Sequence, residues 1–140
     1  MLILSEKLLS LIRRHSEYAF PEEGTGVLFG RSAMDIRIAT EFFPIKNSAL
    51  NRQTEFAISE KDLLEVEKKA AVKGLDVLGF CHSHVNFEVV ASEKDKSFAV
   101  PGLSYPIVQV LNGKAAVIKS YAFIGGFEKN NFSEEEIVCQ

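Results

Sequence analysis

Apolar stretches of strand length alternate along this chain with segments whose apolar residues recur at helical spacing. Ser5 can cap a helix on which Leu8, Leu11, Ile12 and His15 follow the helical period. That helix should stop before Pro21, because the residue preceding a proline is pushed out of the helical region. Gly26 to Phe29 and Ile36 to Phe43 read as strands around a turn near Gly30 to Asp35. Asn47 to Gln53 is polar and loop-like, and Glu55 to Ile58 reads as a short strand. Ser59-Glu60-Lys61-Asp62 opens a second helix that buries Leu63, Val66 and Ala70 and ends at Gly74. A buried strand over the apolar run Leu75 to Cys81 comes next, followed by a short helix starting at Ser92. Two further strands, Tyr105 to Leu111 and Ala115 to Phe123, flank Asn112-Gly113, a strong two-residue hairpin signal. Gly125-Gly126 breaks the pattern. From Asn130 onward the chain is polar and acidic, and a frayed end is favoured there over a docking segment.

The order α-β-β-β-α-β-α-β-β predicts an α/β domain with a single mixed sheet flanked by helices. At 140 residues and 46% hydrophobic, the chain can bury one core and is too short for two. The expected organisation is one domain over residues 1–128 and an acidic tail over 129–140. A net charge of −3 without a basic cluster argues against nucleic acid as partner. No apolar stretch exceeds strand length, and Met1 to Leu4 lacks the basic region and long apolar core of a signal peptide. The expectation is a cytoplasmic protein without a membrane partner. Cys81 and Cys139 have no metal-type spacing and make a poor disulfide framework.

Chemistry concentrates where the apolar run ends. His82 and His84 project from one face of a strand, since strand side chains repeat every two residues. Ser92 and Asp95, three apart, share a face if they open a helix. Two imidazoles and a carboxylate from two elements can then converge on one cation and leave a fourth tetrahedral position open, the pattern of a catalytic zinc. Ser92-Glu93-Lys94-Asp95 is also a capping box, which alone would mark only a helix start. The histidines shift the balance. Of three in the chain, two lie here, and a His pair on one face of a core strand packs poorly. His15 has no ligand near it in sequence and reads as a helix-edge residue. Cys81 alternates with His82 and should face away from the site as a small buried apolar residue. The His-x-Glu with Pro-Cys-x-x-Cys of zinc deaminases is absent, as is the His-Glu-x-x-His of common zinc proteases.

The segment His82-Ser83-His84, seven residues, Ser92, two residues, Asp95 resembles the signature of the JAMM (MPN-plus) metalloproteases. The upstream element Pro21-Glu22-Glu23-Gly24-Thr25-Gly26-Val27-Leu28-Phe29-Gly30 is similar to that of the small prokaryotic branch. The likeness extends to Asn47, Phe56, the helix after Ser59, and Pro101-Gly102-Leu103-Ser104-Tyr105. Thr25 stands where cysteine is frequent, and Val85 replaces the usual proline after the second histidine.

This resemblance implies a curved sheet flanked by helices, akin to cytidine deaminases, with Zn2+ held by His82, His84 and Asp95. It implies Glu23 as the general base, with Glu22 as the rival one residue earlier, and Ser92 as donor to the developing oxyanion. It further implies hydrolysis after the C-terminal Gly of a ubiquitin-like protein. For so small a form the expected partner is a sulfur-carrier protein with a Gly-Gly tail, laid along a sheet edge. Two alternatives remain at this point: a zinc peptidase for small peptides, and a non-catalytic docking module of the same fold.

Overall fold

The computed structural model describes residues 1–140. Its elements run β1 (Leu2–Leu4), α1 (Glu6–Ala19), β2 (Thr25–Ala33), β3 (Ile36–Ile45), α2 (Glu60–Lys73), β4 (Asp76–Val85), α3 (Glu93–Phe98), β5 (Tyr105–Leu111), β6 (Lys114–Phe123), β7 (Phe132–Glu135) and β8 (Ile137–Cys139). The helices begin where the capping residues stand: Ser5 accepts from the Leu8 amide and Ser59 from the Asp62 amide. Gly74 closes α2 in the left-handed region at φ 66°, where a side chain would be strained. Leu8 and Ile12 of α1 are buried, whereas Leu11, expected on the same face, is turned out to solvent.

All eight strands form one mixed sheet in the order β7-β6-β5-β4-β2-β3-β1-β8. The sheet is flanked by helices, as the α/β pattern predicts. On one face, Leu8 and Ile12 of α1 pack on Leu2, Leu28, Leu78, Cys81 and Val110. On the other, Val66 and Ala70 of α2 cover Val27 and Phe29. A third cluster, with Val89, Ala91, Ala99, Tyr105 and Tyr121, lies beside α3.

Strand β4 occupies the centre, antiparallel to β2 and parallel to β5. Its register against β2 shifts between Leu28 and Phe29, so that an extra residue, Leu78, bulges from β4. Val77 and Phe80 consequently meet the α2 side while Leu78 and Cys81 meet the α1 side. Beyond the bulge, alternation is regular and sets His82 and His84 opposite to Cys81. Gly79 at this point lies against the backbone of Ser104, where a Cβ would stand 1.8 Å from the Ser104 carbonyl oxygen. Only glycine allows that approach.

Three expectations need correction. Residues Glu55 to Ile58 are extended but form no strand, because the Asn47 side chain takes the place of a ladder partner, as described below. Leu2–Leu4, too short to show a period, is a strand held by parallel pairing with β3 and β8. The tail at 129–140 is not frayed. A 3-10 turn at Lys129–Asn131 leads into β7, which pairs with β6, and β8, which pairs with β1. Only Glu136 separates β7 from β8, yet they occupy opposite ends of the sheet order. The sheet therefore curls until its ends meet, and the Leu2 amide donates to the Glu136 carbonyl at 2.9 Å. The ordering force is apolar: Phe132 is buried and packs against the rings of Tyr105, Tyr121 and Phe123.

Phe132→Ala is accordingly expected to cost about 3 kcal/mol in urea unfolding, within the range for truncating a buried Phe. A frayed tail would register less than about 0.5 kcal/mol.

Candidate metal centre

The C-terminal end of β4 brings His82 and His84 together with Glu23 and Asp95. Antiparallel register sets Thr25 opposite His82, so the two residues before Thr25 continue alongside the last residues of β4 and bring Glu23 level with His84. Ser83 ties the strands there: its amide donates to the Gly24 carbonyl at 3.0 Å, and its Oγ accepts from the Gly24 amide at 2.8 Å. Ligand atoms of Glu23, His82 and His84 all lie within 4.8 Å of one another. The Nε2 atoms of the two histidines are 3.2 Å apart. Asp95 straddles them, with Oδ1 3.3 Å from His82 Nε2 and Oδ2 3.2 Å from His84 Nε2. All four residues are buried.

Each group is held by a second contact. The Ser92–Asp95 capping box is complete: the Asp95 amide donates to Ser92 Oγ at 3.0 Å, and the Ser92 amide donates to Asp95 Oδ2 at 2.8 Å. One carboxylate thus both starts α3 and faces the histidines. His84 Nδ1 lies 2.7 Å from the Glu88 carbonyl. A carbonyl only accepts, so Nδ1 carries the proton, and in the neutral ring Nε2 presents its lone pair to the cluster. His82 Nδ1 has no such partner. Its ring is fixed instead by stacking on Phe56, centroids 4.0 Å apart, while Phe87 stacks on His84 at 4.4 Å. The loop after His84 is pinned although it lacks the proline, with Asn86 donating to the Val110 carbonyl and Tyr121 Oη to the Val89 carbonyl.

Of the two glutamates, Glu23 is buried at the cluster and Glu22 pairs with Arg52 at the surface. Asn47 fastens this corner. Its Nδ2 donates to the carbonyls of Glu23 and Glu55, both at 2.9 Å, and its Oδ1 accepts from the amides of Ala49 and Ala57 at 3.0 and 3.1 Å. One buried amide thereby joins the Glu23 segment to the loop that carries Phe56. Glu55 also pairs with Lys94 of α3.

Electrostatics follow from burial. Removal from water pushes the Glu23 carboxyl up to about 8, opposed by His84 and helped by Asp95 and Glu55. Burial works against charge on Asp95 too, but hydrogen bonds to both histidines outweigh it and hold that carboxyl well below the usual range. Burial lowers His82. It acts the same way on His84, where the bonds to Asp95 and the Glu88 carbonyl prevail and raise it.

The donor set fits a metal. Two imidazole nitrogens and a carboxylate converge on one point, and with Nε2 deprotonated both rings would present lone pairs to a cation there. Zinc–ligand bonds of about 2.0–2.1 Å place tetrahedral ligand atoms roughly 3.3 Å apart. The separation of the two histidine nitrogens, 3.2 Å, is close to that edge, and each nitrogen has a different Asp95 oxygen at a similar distance, 3.3 and 3.2 Å. The Glu23 carboxylate also lies within 4.8 Å of both imidazole nitrogens.

Ser92 is exposed at the start of α3, and its Oγ accepts from the Asp95 amide while its own proton stays free. His15 is not one of the grouped ligands, and its Nε2 lies 2.9 Å from the Thr25 carbonyl. Cys81 faces the α1 core, and burial pushes its thiol up to about 12. Phe87 was missed, and Asn47 and Phe56 entered only through the family likeness, because aromatic residues and an Asn in a polar loop have many ordinary uses and carry no signal of their own.

Comparison with known proteins adds the following. Residues 5–124 match a family model described as prokaryotic homologs of the JAB domain. A desampylase from Pyrococcus furiosus is 27% identical over 119 residues, covering 84% of this chain and 76% of that protein. One from Haloferax volcanii is 30% identical over 103 residues, with 73% of each covered. A solution structure of a protein from Desulfitobacterium hafniense superposes with TM-score 0.85 at 30% identity, over 100% of this chain and 93% of that one. A JAB1/MPN domain protein from Archaeoglobus fulgidus shares the fold at TM-score 0.62 and 21% identity, covering 99% and 97%. No helix is long and apolar enough to cross a membrane.

Proposed function

This chain belongs to the prokaryotic JAB/MPN family, and from that membership we propose that it is a zinc-dependent hydrolase of JAMM type. In this reading it cleaves the bond after the Gly-Gly end of a ubiquitin-like sulfur-carrier protein. The observation that carries the reading is the convergence of His82 and His84 with the Asp95 carboxylate within 3.3 Å of both and Glu23 buried beside them.

His82, His84 and Asp95 would hold the ion, which supplies a Lewis acid that lets water ionise near neutral pH. Glu23 Oε takes the proton from the attacking water and delivers it to the leaving amine. Its place beside the histidines suits it to that exchange, since a base must stand within reach of the proton it takes. Asn47 holds the Glu23 backbone, so the carboxylate is aimed from a fixed point. The free proton of Ser92 serves the oxyanion, and a donor so placed typically contributes a few kcal/mol to the transition state.

The substrate assignment is supported by the two relatives named desampylase and by the cluster's surroundings. Aromatic rings stack against both histidines, so an approaching chain is least hindered where it has no side chains, as at Gly-Gly. Only nine residues separate Asp95 from Tyr105, too few for a long insertion that would grip a larger partner. The carrier's folded surface must then supply the energy that positions its tail.

The test compares a carrier–Gly-Gly-x fusion with its last six residues as a free peptide, both with zinc-loaded protein. The fusion is expected to show kcat/KM higher by about a hundredfold or more, equivalent to roughly 3 kcal/mol of docking. Equal values would move the assignment to a small-peptide zinc peptidase. Stoichiometric zinc with no turnover on either would move it to a docking module.

A further inference from the structure

Beside the metal ligands lies a cavity of about 140 Å³ lined by eight residues, every one hydrophobic. Phe56, Ile58, Leu63 and Phe80 form its inner wall, and half-exposed Phe98 and Val100 stand at its mouth. It adjoins the reaction centre across a single ring, because Phe56 lines the cavity and stacks on His82 at 4.0 Å between centroids.

We infer that this cavity is a specificity site for one large apolar side chain on the residue whose amine leaves when the scissile bond is cut. The inference deepens the proposed function and rests on its Gly-Gly reading. Successive Cα atoms are about 3.8 Å apart, so only residues next to the scissile bond can drop a side chain into a cavity one ring away from His82. On the acyl side those residues are glycines, which have nothing to insert. The first side chain available belongs to the leaving residue.

Size and chemistry define the occupant. A cavity of ~150 Å³ lined by aliphatic and aromatic side chains stays dry and holds a benzene ring, so this one suits a benzyl or isobutyl group. A charged group would be stripped of water with no charged partner, since the only polar side-chain group in the lining is the Tyr105 hydroxyl, already bonded to the Val100 amide. A lysine stem at an isopeptide bond meets the same requirement through its methylenes, because its nitrogen is the bonded atom. Small and acidic residues at this position are disfavoured.

The experiment uses the zinc-loaded full chain and carrier fusions ending Gly-Gly-Phe, Gly-Gly-Leu, Gly-Gly-Ala and Gly-Gly-Asp, each followed by a common short peptide. Phe and Leu are expected to exceed Ala in kcat/KM by at least about tenfold, as one apolar pocket can discriminate, with Asp lowest. Val100→Trp, which fills the mouth from a half-exposed position, should shrink the Phe-to-Ala ratio to within about twofold. Leu63→Phe should do the same from the inner wall if the first variant folds poorly. Equal rates for Phe and Ala, or an unchanged ratio in the filled variants, would overturn the inference.

A second readout needs no turnover and so separates this inference from the Gly-Gly reading. N-acetylphenylalaninamide should perturb the backbone amide resonances of Phe56, Ile58, Leu63 and Val100, and N-acetylalaninamide should not. Val100→Trp should abolish the effect. Absence of these localised shifts overturns the cavity assignment even if the carrier is cleaved.

Discussion

Replacing His82 and His84 together by Ala is expected to abolish stoichiometric zinc after dialysis. Wild type should keep about one ion per chain, the occupancy a three-ligand site would give. Both lone pairs aimed at the cluster are lost in the variant, leaving only the carboxylates of Asp95 and Glu23 as donors. Carboxylates alone do not hold zinc against a chelating buffer. The fold should survive, because neither histidine belongs to the apolar clusters on which the helices pack. Far-ultraviolet circular dichroism checks that point, and atomic absorption reads the metal. Zinc retained at one per chain in the folded double variant would mean that the ion binds elsewhere.

Glu23→Gln is expected to lower kcat by about 10²- to 10⁴-fold, the span over which a positioned base contributes. Zinc content and melting temperature should stay near those of wild type. The amide matches the carboxylate in shape, so burial and the Asn47 hydrogen bond to the Glu23 backbone persist. What goes is the ability to accept a proton. Glu22→Gln is the internal control: it removes a surface pair with Arg52, whose loss is of little consequence at this exposure. Activity on the carrier fusion decides. If Glu22→Gln is the damaging change, the base is Glu22 and the burial of Glu23 serves packing.

The His pair was legible because its signal is local. Two residues apart on an apolar run, they share a face whatever the rest of the chain does, and the bulge at Leu78 lies upstream of them. Asp95 was legible for the same reason, as the fourth residue of a capping box. Glu23 was not readable from its own neighbourhood, where it is one of an acidic pair after a helix. Only the family likeness separated it from Glu22, and the structural cause is a register 59 residues away, with Ser83 bonded to Gly24.

Long, strongly patterned elements were readable and short, non-local ones were not. Helices α1 and α2 carry caps and a helical period, and the hairpin between β5 and β6 carries Asn112-Gly113, both at positive φ. Strands β1, β7 and β8 are three or four residues long; β1 and β8 pair from opposite ends of the chain, and β7 folds back on β6. The acidic character of the tail hid Phe132, whose burial anchors it. Conversely, Glu55 to Ile58 joins no strand of the sheet, and the Asn47 side chain bonds the Glu55 carbonyl and the Ala57 amide instead.

Reconstitution of activity by metal tests the assignment most directly. The protein is stripped with a chelator, then titrated with zinc while cleavage of a carrier–Gly-Gly-x fusion is followed. Activity should vanish on stripping and return linearly, saturating at one equivalent per chain. Cleavage that persists in the stripped protein, or that fails to return with a full equivalent bound, would contradict a zinc hydrolase built on His82, His84 and Asp95.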